Sequence, residues 1–474
     1  MKKYHILVIL GLTLTLNACK SLQTKTSIKS ASMPSVYDSS ASQKTSIASI
    51  DWRKYYTDSL LVQLIDTAIA NNIDLQIAIQ RIEIAKSNSR FLKAALFPKI
   101  DANASIGRTK YAKYTQEYAG NITTFYDGGK IVPNPLDNYY LGLSSTWEID
   151  FWKKLRNQKK SGIANYLASV EGKNFVVSNL VSSVAVLYYE LIALDNEYNI
   201  VMQTIQKRRE ALEVIKLQKE TGRTNELAVQ QFQAQLLEFE ALSKEISQKI
   251  VETENKLNFV LARYPQKINR DDAAIFQNMP SEVASGLPSE MLSKRPDIRQ
   301  AEQELKASNF DLKAARAAFF PNINIASAIG FQSFNSAYLL NSPSSIGYSA
   351  AGGLITPLVN RNALKNQFAT AKSRQITAMY NYQKTILNAY VEVANELSNI
   401  KKLEEINVLK KQQSDVLSSA VETSSELYKS AKANYLEVLL AQENSLKAKL
   451  ELVEVQKRQK IATVNIYKSL GGGW

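Results

Sequence analysis

The chain has 474 residues, 45% of them hydrophobic and 22% charged, enough for a large core or several domains. It contains one histidine, His5, and one cysteine, Cys19. Once a leader ending before Cys19 is removed, Ser-His-Asp and Cys-His catalysis, His- or Cys-ligated metals and internal disulfides are excluded.

The formal charge is +14, which raises the question of nucleic acid. The basic residues read as spread along helices beside acids, as in Lys207-Arg208-Arg209-Glu210, and an exported chain has little access to nucleic acid. A solvated surface is expected, with no nucleic-acid partner. Export follows from the start of the chain. Lys2 and Lys3 precede an apolar run, Ile6 to Leu16, too short to span a bilayer, and then Leu16-Asn17-Ala18-Cys19. Residues 1–18 read as a signal peptide, and the small residue before Cys19 resembles a bacterial lipoprotein processing site. Cys19 is the expected lipidation site, giving an anchor and not a span. Residues 19–50, rich in Ser, Thr, Ala and Lys, read as a tether.

From Asp51 to Leu96 the pattern is helical, with Leu61, Leu64, Ile65, Ala68 and Ile69 on one face. At Phe97-Pro98 the period changes to two. Ile100, Ala102, Ala104 and Ile106 alternate with Asp101, Asn103, Ser105 and Gly107. After a polar loop bearing Tyr111, Tyr114, Tyr118 and Tyr126, expected to be exposed, alternation resumes through Tyr139, Leu141, Leu143, Trp147 and Ile149. Each run is long enough for a tilted strand to cross a bilayer. Taken alone, this strand pair over 98–150 fits a membrane hairpin or a soluble one, and the exported, lipid-bearing start favours the membrane. No proline falls between Lys153 and Ala262. Val177, Val184, Leu191, Tyr198, Ile205 and Leu212 are seven apart, and Leu180, Leu187, Leu194, Val201 and Ile215 follow three later, broken only by Arg208. That a/d seam predicts a helix from Lys153 to about Glu220, on the order of 100 Å long, with a returning arm from Asn225 to Ala262. Residues 263–290 read as a linker.

The second half repeats the first. Ala95-Leu96-Phe97-Pro98 matches Ala318-Phe319-Phe320-Pro321 at an offset of 223, and Val177, Val184 and Leu191 match Ile386, Val393 and Ile400 at an offset of 209. The first repeat therefore covers 51–262 and the second 291–474, with a strand pair over 321–357 and a helical hairpin over 361–470. The expected class is mostly α, with four membrane strands per chain and two long antiparallel hairpins. Four strands cannot close a barrel, so copies must assemble; two would give eight strands and a filled interior, three would give twelve and room for a lumen.

Several motifs carry a family resemblance from about residue 51 to the end. They are Leu16-Asn17-Ala18-Cys19, Arg295-Pro296-Asp297-Ile298 with Ala301-Glu302, Tyr435-Leu436-Glu437-Val438-Leu439, and the ending Ser469-Leu470-Gly471-Gly472-Gly473-Trp474. The chain resembles TolC-type outer-membrane efflux proteins, in the lipoprotein branch that includes OprM and NodT. The resemblance implies a homotrimer with a twelve-stranded β-barrel and a periplasmic α-barrel. It further implies docking of the hairpin tips on a periplasmic adaptor coupled to an inner-membrane pump of the RND type. From the residues, no cofactor and no metal are expected. The tip residues so implied are Gly222, Arg223, Thr224, Ala431, Lys432 and Tyr428, with Ala433 where the family has the tyrosine's basic partner. Glu437 matches a gate-lining acid; a ring of three would prefer cations. The position of a second acid is Leu440. The cargo expected is small molecules or ions. A type I protein-secretion duct and a poreless coiled-coil lipoprotein stand as alternatives; an enzyme is not expected, because only carboxylate chemistry remains and no acid pair stands out as a site. The Gly471 to Gly473 run reads as a flexible terminus, because no strand precedes it to make a phosphate cradle.

Overall fold

Asp58 starts the first packed helix by accepting from the Leu60 and Leu61 amides at 2.8 and 3.3 Å, two of the donors that a helix start leaves without partners. The structure, a computed structural model, describes residues 34, 37, 46–126, 128–270, 285–356 and 361–474. Cys19 and the leader lie outside the described residues. In chain order the main elements are α1 (Ser59–Asn71), α2 (Ile73–Ala94), β1 (Lys99–Thr109), α3 (Gln116–Thr123), the short strands β2 (Phe125–Tyr126) and β3 (Lys130–Ile131), β4 (Leu136–Ile149), α4 (Lys154–Glu220) and α5 (Glu226–Val260). The second half supplies α6 (Pro296–Ala317), β5 (Asn322–Ser333), β6 (Ile346–Ile355), α7 (Arg361–Lys429) and α8 (Tyr435–Ser469). The stretch expected to be a plain loop between β1 and β4 thus contains a helix and a small hairpin.

The four long strands form one antiparallel sheet, in the order β1-β4-β5-β6. Residues opposite one another share a face. One row runs Ala102, Leu143, Ile329, Tyr348; the next runs Asn103, Gly142, Gly330, Gly347. Leu143, Ile329 and Tyr348 are 49, 55 and 84% exposed, so the apolar face lacks a protein cover and suits lipid. The opposite face is small and polar, as a water-filled interior requires. Among the described residues β1 and β6 each have a neighbour on one side only. Such edges cannot face hydrocarbon with their N–H and C=O groups unpaired, so the sheet is an arc of a wall that further chains complete.

The strand-to-helix junction is tied by side chains. The Asp150 carboxylate accepts from the amides of Leu155 and Arg156, both at 2.9 Å, which caps α4 where Lys153 turns at a φ of 64°. The Trp152 indole donates to the Pro321 carbonyl at 2.8 Å and stacks on Phe320, and Trp147 donates to the Leu96 carbonyl at 3.0 Å.

Helix α4 buries the predicted seam. Val177, Val184, Leu191, Ile205, Leu212, Leu180, Leu194, Val201 and Ile215 are buried, with Leu187 and Tyr198 half-buried. The upper core gathers Leu61, Ile65, Val184, Leu191, Leu257 and Tyr467. The lower core packs α4, α5 and α8 through Ile205, Leu212, Phe232, Leu236, Leu439 and Leu446. Arg208, the break in the seam, is also buried, at 2% exposure. Its guanidinium donates to Gln235 and lies 5.3 Å from the Phe239 ring centre. Burial pulls its pKa down to about 10, and Glu443 and Glu238 work against that, so it stays a cation at neutral pH.

The short helices are joined end to end. Asn72 caps α2 by accepting from the Leu75 amide at 3.0 Å, and its amide group donates to the Val260 carbonyl, the last of α5, at 2.9 Å. Arg295 stands 223 residues on, before α6, and donates to the Ser469 carbonyl, the last of α8, at 2.6 Å. Each bond satisfies a carbonyl that a helix end leaves open. α5 with α2, and α8 with α6, therefore act as two spliced rods beside the unbroken α4 and α7.

Three stretches are more ordered than expected. The last tether residues dock on the body, where the Tyr467 hydroxyl donates to the Ile50 carbonyl at 2.6 Å. In the linker, Ile268 is buried and Arg270 pairs with Asp195 and Glu254; residues 271–284 lie outside the described residues. The terminal glycines, read as flexible, are buried: Ser178 donates to the Gly472 carbonyl at 2.6 Å, and the Trp474 indole donates to the Gly471 carbonyl at 2.8 Å. A Cβ on Gly472 would lie 2.4 Å from the Tyr467 ring, so only glycine lets the backbone pass there.

Candidate functional site at the helical tips

Both hairpins turn by the same chemistry. At the first tip Gly222 has a φ of 70°, its amide donates to the Lys219 carbonyl at 3.0 Å and the Arg223 amide donates to the Gln218 carbonyl at 2.8 Å. At the second, Ala431 has a φ of 57°, and the matching bonds run from Ala431 to Tyr428 at 3.0 Å and from Lys432 to Leu427 at 2.9 Å. This is the Schellman pair that closes a helix end. Asn225 and Asn434 then cap the returning helices by accepting from the Ala228 and Glu437 amides, each at 3.1 Å. The tips Thr221-Gly222-Arg223-Thr224-Asn225 and Ser430-Ala431-Lys432-Ala433-Asn434 thus follow the same path, at the offset of 209.

Alanine in the left-handed region carries a strain that glycine does not. Ala431→Gly is expected to stabilise the second tip by about 0.5–1 kcal/mol, seen as slower trypsin cleavage after Lys429 and Lys432. Faster cleavage would mean that the turn is not held in this conformation.

Gly222, Arg223, Ala431 and Lys432 are exposed and Thr224 is half-buried. Tyr428 is half-buried, and its hydroxyl donates to Gln218 Oε1 at 2.6 Å, which ties α7 to α4 across the two hairpins. Burial pushes its phenol pKa up, which keeps the donor protonated. Gln218 was missed by sequence reasoning, which looked for a cation at position 433. Nothing in its helical context marks it. Glu437 lies exposed in the first turn of α8, where the helix dipole favours an anion. Its counterpart in the first repeat is Ala228, fully buried. The acid is therefore a feature of one repeat only, and among the described residues no cation pairs with it.

An open membrane sheet continued by rods on the order of 100 Å long, turned at capped tips, defines one protomer of an outer-membrane channel with a long helical extension. The chain belongs to the outer membrane efflux protein family, which it matches over residues 64–263 and 287–472, and it is an outer-membrane efflux channel component reaching into the periplasm. It is 28% identical to the toluene efflux pump outer membrane protein TtgC of Pseudomonas putida, over 92% of this chain and 88% of that one. It is 26% identical to the cation efflux system protein CusC of Escherichia coli O6:H1, over 89 and 88% of the two chains. In fold it is similar to the outer-membrane channel OprN, with a TM-score of 0.84 at 22% identity over 95 and 98% of the chains. It is equally similar to the Campylobacter jejuni CmeC channel, with a TM-score of 0.84 at 21% identity over 96 and 95%.

Proposed function

We propose that three copies close a twelve-stranded barrel and a periplasmic α-barrel, and that the assembly is the passive exit duct of a tripartite efflux system. The observation that carries this reading is the four-stranded arc with both edges unpaired among the described residues, set on helical rods. Three arcs give twelve strands, a number that leaves a lumen. The tips, through Gly222, Arg223, Thr224, Ala431, Lys432 and Tyr428, dock on a periplasmic adaptor, which couples the duct to an inner-membrane pump of the RND type. Relatives named for toluene and for cations point to small molecules or ions as cargo. Cys19 carries the lipid anchor. Glu437 lines the constriction, and Tyr428 with Gln218 holds it shut.

Planar-bilayer recording tests this. Tyr428→Phe removes one hydrogen bond, about 1 kcal/mol, and is expected to raise the open fraction roughly fivefold. Glu437→Gln is expected to lower the cation-to-anion permeability ratio without lowering conductance. A protein that stays silent in both variants would not be a duct gated at these tips.

A further inference from the structure

The expectation that basic residues lie beside acids fails in one region. Residues 84–100, 151–170, 312–321 and 361–391 hold 16 of the 58 basic residues and none of the 44 acids. The rest of the chain is balanced, at 42 basic against 44 acidic, so the entire positive excess sits in these four segments. In the fold each begins or ends at the membrane strands, and the last runs on for about 45 Å along α7. They are the end of α2 with its connection to β1, the connection from β4 with the start of α4, the end of α6, and the first part of α7. Each is where a helix meets the membrane strands.

Arg90 and Lys93 on α2, Lys160 on α4, Lys313 and Arg316 on α6 and Lys365 on α7 lie within two helical turns, about 11 Å, of the strand end of their helices. All six are exposed, and among the described residues none makes an ion pair. Their neighbours Lys99, Lys154 and Arg156 do pair, with Asp101, Glu148 and Asp150, which leaves Asp311 as the acid at this level without an ion pair among the described residues, against six such cations. Lys160 and Lys313 come from different helices, yet both lie against the Phe310 ring, at 5.7 and 5.3 Å from its centre. Two ammonium groups held to one ring repel each other unless an anion offsets them. Exposed Phe97, Phe151 and Trp152 mark the same level, as aromatic residues do at a membrane interface.

We propose that this basic collar binds the anionic headgroups of phospholipids in the leaflet that faces the helices. The depth agrees: the headgroup layer extends roughly 5–8 Å beyond the hydrocarbon on each side, and basic segments just outside a membrane span attract anionic lipid charge by charge. The aromatic belt favours lipid over an exported anion as the occupant. The proposal rests on the membrane location alone and is independent of the reading of the tips.

The test uses the purified full-length protein in a non-ionic detergent. Its thermal midpoint is followed during titration with phosphatidylglycerol, phosphatidylcholine or inorganic phosphate, while native mass spectrometry counts retained lipid. Phosphatidylglycerol alone is expected to give a saturable rise, weakened by salt. Half-saturation should shift about tenfold or more in the Lys93→Gln/Lys160→Gln/Lys313→Gln/Arg316→Gln variant. If that variant does not fold, Lys160→Gln/Lys313→Gln is expected to give a several-fold shift. Equal stabilisation by phosphatidylcholine, an equal rise with inorganic phosphate, or an unchanged titration in the variants would overturn the proposal. So would a variant that keeps its phosphatidylglycerol titration but changes ion selectivity in zwitterionic bilayers, because the collar would then line the lumen.

Discussion

Arg295→Met is expected to cost about 3 kcal/mol of stability, through the charged hydrogen bonds lost and the buried helix-end carbonyl left unpaired. The residue is 7% exposed. Its guanidinium forks onto Asp297 at 3.1 and 2.7 Å, and a third nitrogen donates both to Glu392 at 2.9 Å and to the Ser469 carbonyl at 2.6 Å. Burial by itself would lower the arginine pKa, but Asp297 and Glu392 outweigh it and hold the group charged. Methionine fills similar space but leaves two carboxylates and one helix-end carbonyl without the donor they share. Asn72→Ala, at the equivalent splice, removes a cap and one neutral bond and is expected to cost only about 1–2 kcal/mol. Guanidinium denaturation of the purified protein in detergent measures both. Equal losses at the two sites would show that the charge network adds nothing to the splice.

Gly330→Val is expected to abolish insertion into the outer membrane. Gly142 and Gly330 face each other across β4 and β5. A Cβ on Gly330 would lie 2.6 Å from the Gly142 Cα and 2.7 Å from the Leu141 carbonyl oxygen, both backbone atoms that cannot turn aside. The strands would have to part, and each ladder bond lost in hydrocarbon costs several kcal/mol. Gly120 lies in α3, between β1 and β4 and off the sheet, with open space around it, so Gly120→Ala is expected to be tolerated. Membrane fractionation with heat-modifiable migration on gels separates the outcomes. A Gly330→Val protein that still reached the membrane in native amounts would mean that the β4–β5 pairing can yield to a side chain at this position. The Tyr140 hydroxyl lies 2.6 Å from where a Gly142 Cβ would be, so it takes the place that a side chain there would occupy.

The long elements were legible because their signals are periodic. The seven-residue seam and the lack of proline placed α4 within a residue of where it lies, and alternation placed all four long strands. The tip turns were legible through Gly222, whose type reports its backbone angle. What escaped has no period. The splices at Asn72 and Arg295 occupy equivalent positions, but one is neutral and the other charged, and both bond to a backbone carbonyl, which any residue type supplies. The Tyr428–Gln218 tie joins residues 210 apart with no shared pattern. The terminal glycines misled because absence of a side chain reads as freedom, whereas here it permits close approach to Tyr467 and Lys294.

The splices have a mechanical consequence. Of the four struts that each protomer lends to the tube, two are continuous and two are jointed, and both joints fall at corresponding points of the repeat. A jointed strut carries thrust along its axis but little torque across the gap. Twisting applied at the far tips would therefore reach the membrane end through α4 and α7 alone, and the jointed pair would take up the slack.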